Sequence, residues 1–204
     1  MGVDAMRGGA PLAAGAAVAW SNAVLPRLSR RLGWGRDARN AVNAAFCLAD
    51  AALARARFPT AAGTVAGGAL AVAGLVRTVP AEREPASSLA KWVLVDIPLG
   101  TALPEEALFR GSLTPSLEAA YGRPRGTVAG AATFGLWHVG AARAAQDPVV
   151  PTILVTGFAG AALDALTRRT SRSWPAFLAH WTLNGAGAIL SSGSVFSSHR
   201  PINP

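Results

Sequence analysis

The sequence is poor in charged residues. Only 15% of its 204 residues are Asp, Glu, Lys or Arg, whereas 51% are hydrophobic. A soluble domain usually has about 25% charged residues. The missing charge argues against an ordinary water-facing surface and indicates a chain that contacts lipid over much of its area.

Cysteine and two familiar hydrolase motifs are also scarce or missing. Cys47 is the only cysteine, which excludes an internal disulfide and a zinc cluster of thiolates. We interpret it as a small buried apolar side chain. There is no H-E-x-x-H and no G-x-S-x-G. Ser191, Ser192 and Ser194 follow the last apolar segment, so we do not expect a serine nucleophile.

The net charge of +8 does not indicate nucleic-acid binding, because no basic stripe with interleaved aromatic residues is present. The arginines fall between apolar segments, and most of them share one side of the predicted topology. We place that side in the cytoplasm by the positive-inside rule. Its densest part, residues 26–58, is expected to bind anionic head groups or to dock a partner.

Apolar segments near the length that crosses a bilayer, about 20 residues, recur along the chain. We predict a single domain, residues 1–204, that is all-α and forms a polytopic transmembrane bundle of six to seven helices around a buried polar site. The predicted spans are 11–25, 60–76, 89–112, 127–145, 149–166 and 174–190. Segment 41–54 contains Asn43 and Asp50, and we predict an interfacial helix there.

Smaller features complete the predicted organisation. The first span could instead be a removed signal peptide, but a membrane helix is favoured because more spans follow. The small-residue steps Gly63…Gly67 and Gly157…Gly160 are expected to pack helices closely within the bundle rather than in a dimer. Residues 193–204 are expected to form a loose tail. The oligomeric state is left open.

Two adjacent glutamates lie within the third predicted span. A charge at the bilayer centre costs roughly 2.5–3.5 kcal/mol on insertion scales, so Glu105 and Glu106 need partners and a function. Glu106 and Arg110 are four residues apart and can pair along a helix, whereas Glu105 points about 100° away. Pro98 and Pro104 are expected to kink or interrupt the segment and open a cavity for water.

Two later spans each contribute a histidine. His138 follows Phe134 by one turn, and His180 shares a helix face with Asn184. Either motif alone is well explained by a hydrogen-bonded core residue. The predicted topology, however, brings Glu105 and both histidines to one depth in the cytoplasmic half of the bilayer. We therefore predict one common polar site.

The three motifs together resemble those of the CPBP family of intramembrane proteases, which includes the CAAX-processing prenyl proteases and relatives linked to bacteriocin self-immunity. The motifs E-E-x-x-x-R, F-x-x-x-H and H-x-x-x-N correspond to Glu105-Glu106…Arg110, Phe134…His138 and His180…Asn184. The resemblance covers roughly residues 89–190. It implies a multi-pass protein of the bacterial cell membrane that hydrolyses a peptide or a membrane protein.

The resemblance also implies roles for the motif residues. Glu105 would act as general base on a water molecule, and His138 would help to hold that water. His180 and Asn184 would donate hydrogen bonds to the oxyanion of the tetrahedral intermediate.

By the same resemblance, Glu106 and Arg110 would orient these groups and balance their charge.

The need for a metal is left open. Glu105, His138 and His180 could form a His₂Glu zinc site with an open position. A mechanism through glutamate and histidine needs no metal, and we favour a site without an obligatory one.

Two other functions remain open. One is a non-catalytic immunity or scaffold protein of the same fold, and the complete motif set argues against it. The other is a proton-coupled transporter, because buried carboxylates and histidines also form proton relays. The lack of two similar halves argues against a transporter. The sequence predicts neither the substrate nor whether the substrate is prenylated.

Overall fold

The computed structural model describes residues 3–55 and 88–197, and every regular element in these two ranges is helical. The helices are α1 Val3–Ala19, α2 Leu25–Leu32, α3 Arg36–Arg55, α4 Leu89–Lys91, α5 Leu103–Leu108, α6 Thr114–Tyr121, α7 Arg123–Trp137, α8 Val139–Ala145, α9 Val149–Thr170 and α10 Trp174–Ser197. The all-α prediction is confirmed for these residues. The predicted span 60–76, with its Gly63…Gly67 step, lies outside them.

Four π-helical turns interrupt the regular α-helices within the described residues. They are Trp20–Val24, Trp92–Asp96, Pro98–Ala102 and Phe109–Leu113. Each turn ends two residues before a proline; these prolines are Pro26, Pro98, Pro104 and Pro115. Proline lacks an N–H group, and its ring clashes with the carbonyl four residues earlier. The residue before each proline donates instead to the carbonyl five residues back.

The prolines therefore widen the helices without breaking them. Residues 3–32 form one continuous helix, which we call the N-terminal rod, and residues 89–121 form another, which we call the central helix. The predicted interruption at Pro98 and Pro104 takes the form of wide turns. A π-helical turn is often found at a functional site, because it shifts the side chains around it.

The central helix lies within the bundle. Its middle packs against α3, its first half against α10, and α6 at its end against α1 and α7. The core between these helices contains an aromatic cluster, in which Phe109 is in edge contact with Phe134 and Trp137. The side chains of α5 are therefore held on several sides.

The helix α3 includes the predicted interfacial segment 41–54. It packs along α5 and the two neighbouring π-helical turns, and it buries Val42, Cys47 and Asp50. The buried, unpaired state predicted for Cys47 is confirmed. The helix therefore forms part of the wall around the central helix.

The predicted spans differ from the observed helices in several places. Segment 127–145 is two helices, α7 and α8, because the chain breaks at His138. Helix α10 runs to Ser197 and so includes the start of the predicted tail. Gly160 contacts the Phe134 ring and Gly157 faces the carbonyl of Ala131, which confirms their predicted use in packing within the bundle.

Helix α9 covers the predicted span 149–166. Among the helices of the described residues, it alone is long and apolar enough to cross a membrane by length and composition. Its mean hydropathy is 1.7 and only 17% of that window is buried inside the protein. The described residues thus form a helical bundle, and one of its helices has the length and composition of a membrane span.

Candidate active site

The two glutamates occupy the first turn of α5, directly after the wide turn Pro98–Ala102. Glu105 is 4% exposed and Glu106 is 2% exposed. They point to different partners, as the helical spacing predicts. Glu105 faces the junction of α7 and α8, and Glu106 faces Arg110 and His180.

One oxygen of Glu105 is held and the other is free. The indole Nε1 of Trp137 donates to Oε1 at 3.0 Å. Oε2 lies 3.8 Å from Nε2 of His138 and 3.8 Å from Nε2 of His180. Within the described part of the chain, this buried oxygen has no hydrogen-bond partner. A water molecule can bridge polar atoms at such distances, so the predicted convergence of Glu105 with both imidazoles is confirmed.

The hydrogen bonds of the two histidines fix the direction of their rings. His138 Nδ1 lies 2.7 Å from the carbonyl oxygen of Phe134, which can only accept a hydrogen bond. His180 Nδ1 lies 2.8 Å from Oε1 of Glu106, which accepts when ionised. The His138 ring therefore carries a proton on Nδ1, and both rings present Nε2 to Glu105. In the neutral ring, that Nε2 atom has a free lone pair.

Arg110 connects the central helix to α9. Its Nη1 donates to Glu106 at 3.3 Å, which confirms the pair predicted from the spacing. Its Nη2 donates to the carbonyl of Gly160 at 2.7 Å, and its Nε lies 3.2 Å from Oδ1 of Asp164. The guanidinium also lies 4.7 Å from the ring centre of Phe134, a cation–π distance.

The buried cluster has more acidic than basic groups. Three buried carboxylates belong to it, those of Glu105, Glu106 and Asp164, and the guanidinium of Arg110 pairs with the last two. Buried charges are costly unless they are paired. His180 lies 2.8 Å from Glu106 and 3.8 Å from Glu105.

A cavity of about 240 Å³ adjoins Glu105. On one side it is lined by Glu105, His138 and Asn184, so Asn184 shares the cavity with the predicted base. On the other side the N-terminal helices contribute polar side chains, which are Ser21, Arg39, Asn40 and Asn43. The cavity has room for water and for part of a substrate.

All six predicted residues meet at this site, but the sequence analysis missed two of their partners. Asp164 is a lone carboxylate in the apolar helix α9, which is the same signal that identified the glutamates. Trp137 directly precedes His138, and nothing in the sequence shows that its indole reaches Glu105. The polar cavity wall contributed by residues 3–55 was not predicted either.

The same cluster contains the three residues predicted as possible metal ligands. Glu105, His138 and His180 have the donor atoms of a His₂Glu zinc site. In residues 3–55 and 88–197, however, no group of three or more His, Cys, Asp or Glu side chains is arranged to hold a metal ion.

Comparison with protein families supports the resemblance found in the sequence. Residues 87–186 match the model of the Rce1-like family, described as type II CAAX prenyl endopeptidase Rce1-like. The matched range contains all three motifs. Comparison with curated proteins and with solved structures gives no match. The family prediction made from the motifs is confirmed.

Proposed function

We propose that the chain is an intramembrane endopeptidase in which Glu105 activates water, because residues 87–186 match the model of the Rce1-like protease family. The observation that best supports this proposal is the position of the Oε2 atom of Glu105. It is buried, has no hydrogen-bond partner in the described residues, and faces both imidazoles at 3.8 Å. A general base needs hydrogen-bond reach to its water, and this position provides it.

The reaction uses one water molecule and one peptide bond. Glu105 takes a proton from the water as the water oxygen bonds to the carbonyl carbon. The carbonyl oxygen becomes an oxyanion. Glu105 then passes the proton to the amine as the C–N bond breaks. His138 Nε2 accepts the other water proton in a hydrogen bond, and its own Nδ1 bond to Phe134 keeps the ring in place.

His180 and Asn184 donate hydrogen bonds to the oxyanion. The carboxylate of Glu106 stabilises a positive charge on His180, whose Nε2 then becomes a donor. Asn184 lines the cavity beside Glu105 and supplies an amide N–H. Removing one donor of this kind typically lowers kcat by about 10²–10³-fold.

Glu106 in turn needs a fixed orientation. Arg110 holds it at 3.3 Å and is itself held by Asp164 at 3.2 Å. Three residues thus form a chain of contacts from α9 to His180. We assign Glu106 and Arg110 the positioning and charge-balancing roles, and we add Asp164 to them.

We place the protein in the cell membrane as a multi-pass protein with its site in the cytoplasmic half. The outer face of α9 supports contact with lipid, since Leu154, Val155 and Phe158 are 67%, 68% and 79% exposed. Leu183 and Leu190 of α10 are also exposed. Large apolar side chains that are grouped on an outer face mark a surface that contacts an apolar phase or a partner. The substrate is a peptide or a membrane protein.

The test is Glu105→Gln, which keeps the size of the side chain and removes the base. We expect hydrolysis to fall by about 10²–10⁴-fold while expression and thermal stability stay near wild type. Substrates are sought by comparing membrane proteomes with wild type and with the variant. Glu118→Gln is the matched control, because Glu118 binds Thr127 and Arg168 away from the site.

An unchanged product pattern in Glu105→Gln would remove the hydrolytic role. A phenotype of immunity that persists in this variant would instead support the non-catalytic scaffold of the same fold. The endopeptidase and the scaffold protein are therefore distinguished by the phenotype of one variant, Glu105→Gln, which we expect to fold in either case.

A further inference from the structure

The helical break at His138 interrupts the usual helical hydrogen bonds of three backbone groups. Helix α7 ends at Trp137 and α8 begins at Val139. In an uninterrupted helix, the N–H of Gly140 would donate to the carbonyl of Leu136, and the carbonyl of Trp137 would accept from the residue four positions later. At this break, those three groups bond to two side chains of the N-terminal rod. The Leu136 carbonyl also accepts a backbone N–H at the end of α7.

Asn22 replaces the missing helical bond. Its Oδ1 accepts from the N–H of Gly140, and its Nδ2 donates to the carbonyl of Leu136 at 2.8 Å. Ser21 Oγ donates to the carbonyl of Trp137 at 2.7 Å. A side-chain amide has both a donor and an acceptor, so it can bridge the two ends of a broken backbone hydrogen bond. Unsatisfied backbone groups inside a membrane each cost several kcal/mol, so the break needs these partners.

The position of these two side chains follows from the local sequence. Pro26 widens the turn Trp20–Val24, which carries both of them. Trp20 in the same turn donates from Nε1 to Asn43 at 3.0 Å and stacks on Phe46. The turn is thereby attached to α3 while Ser21 and Asn22 reach across to α7 and α8. The turn Trp20–Val24 and its partners on α3 lie outside the range 87–186 that matches the family model.

We propose that Ser21 and Asn22 are positioning residues for His138. Their hydrogen bonds hold the helix open at His138, and the open turn directs its imidazole toward Glu105. The effect on turnover rests on the proposed function. The effect on the His138 ring does not, because it can be measured without a substrate.

The experiment compares Asn22→Ala and Ser21→Ala with Ser29→Ala. Ser29 is a matched control, because its hydroxyl binds the carbonyl of Leu25 within its own rod. The chain has only three histidines, so ¹⁵N-histidine NMR of the protein in detergent can resolve them, with His138→Gln for assignment. We expect wild type and Ser29→Ala to show His138 with its proton on Nδ1. We expect the two test variants to show a mixture of tautomers.

Turnover provides the second measurement. Small displacements of a reacting group can cost up to about 10²-fold in rate, so we expect kcat to fall by about 10- to 100-fold in Asn22→Ala. KM is expected to change by less than about twofold, since the substrate pocket itself is kept. Ser21→Thr, which restores the hydroxyl, is expected to return both readouts to wild type.

The outcomes are distinct. If Asn22→Ala and Ser21→Ala keep the wild-type tautomer and kcat, as Ser29→Ala does, the proposal is overturned. A tautomer change in a protein whose wild type cleaves no peptide supports the proposal and removes the proposed function. If Asn22→Ala does not fold, Ser21→Ala and its rescue by Ser21→Thr decide the matter by the same readouts.

Discussion

Arg110 is the residue whose removal we expect to cost the most stability. Its side chain is 1% exposed and contacts Glu106, the carbonyl of Gly160 and Asp164. Arg110→Met keeps an unbranched apolar stem and removes the charge. Glu106 and Asp164 then remain buried as carboxylates without the guanidinium between them.

The expected magnitude follows from these contacts. Removing one partner of a buried ion pair typically costs about 3–5 kcal/mol, because the other charge stays buried. We expect a loss of that size in the free energy of unfolding of Arg110→Met. Asp164→Asn keeps an oxygen that faces Arg110, so its expected cost is smaller, about 1–3 kcal/mol. The double variant Arg110→Met/Asp164→Leu is expected to lose less free energy of unfolding than Arg110→Met and Asp164→Leu lose when each is made singly. The expected difference is about 0.5–3 kcal/mol.

The assay is unfolding by sodium dodecyl sulfate in mixed micelles, followed by circular dichroism. Arg168→Gln is the control, because Arg168 pairs with Glu118 at 3.2 Å with side chains 29% and 22% exposed. A pair of this kind contributes at most about 1 kcal/mol. If Arg110→Met is no more destabilising than Arg168→Gln, the buried network that we describe does not support the fold.

Three further predictions concern the base, the packing and the metal. Trp137→Phe removes the indole N–H bond to the buried Glu105 Oε1. We expect kcat to fall by about 10- to 100-fold and the free energy of unfolding to fall by about 1–3 kcal/mol, and an unchanged kcat would show that this bond does not hold the base. A Cβ on Gly126 would lie 2.3 Å from Cα of Glu118, whereas a Cβ on Gly15 meets nothing within 4 Å. Gly126→Ala should therefore lower the unfolding free energy by about 1–3 kcal/mol and Gly15→Ala should not, as unfolding titrations can check. Purified wild type treated with 1,10-phenanthroline is expected to keep its activity; a loss that zinc restores would show that the metal-free mechanism is wrong.

The ionisable residues were the part of the site that sequence reasoning predicted best. Carboxylates in an apolar helix are costly, so their presence already indicates partners. The spacing of Glu106 and Arg110 predicts their contact, because only the local helix determines it. Asp164 satisfies the same criterion and was overlooked, since it belongs to none of the three motifs. The expectation that a charged residue in an apolar helix has a partner therefore holds for Asp164 as well as for the two glutamates.

Contacts between distant segments were beyond local reasoning. Asn22 and Leu136 are 114 positions apart, and no periodicity in either segment shows that they touch. The break at His138 was also missed, because residues 127–145 form one apolar run in the sequence. The break depends on hydrogen bonds supplied from another helix, which the run itself does not contain.

The prolines help to bring the range 87–186 and the helices before it together at the candidate site. Pro104 widens the turn Pro98–Ala102, and this turn brings Gly100 against the side chain of Asn40, where a Cβ would lie 2.6 Å from its Nδ2. Pro26 widens the turn that carries Ser21 and Asn22. The range 87–186 thus supplies the ionisable groups, while the helices before it close the cavity and hold the break at His138. A functional site of this geometry therefore depends on residues that the family motifs do not include.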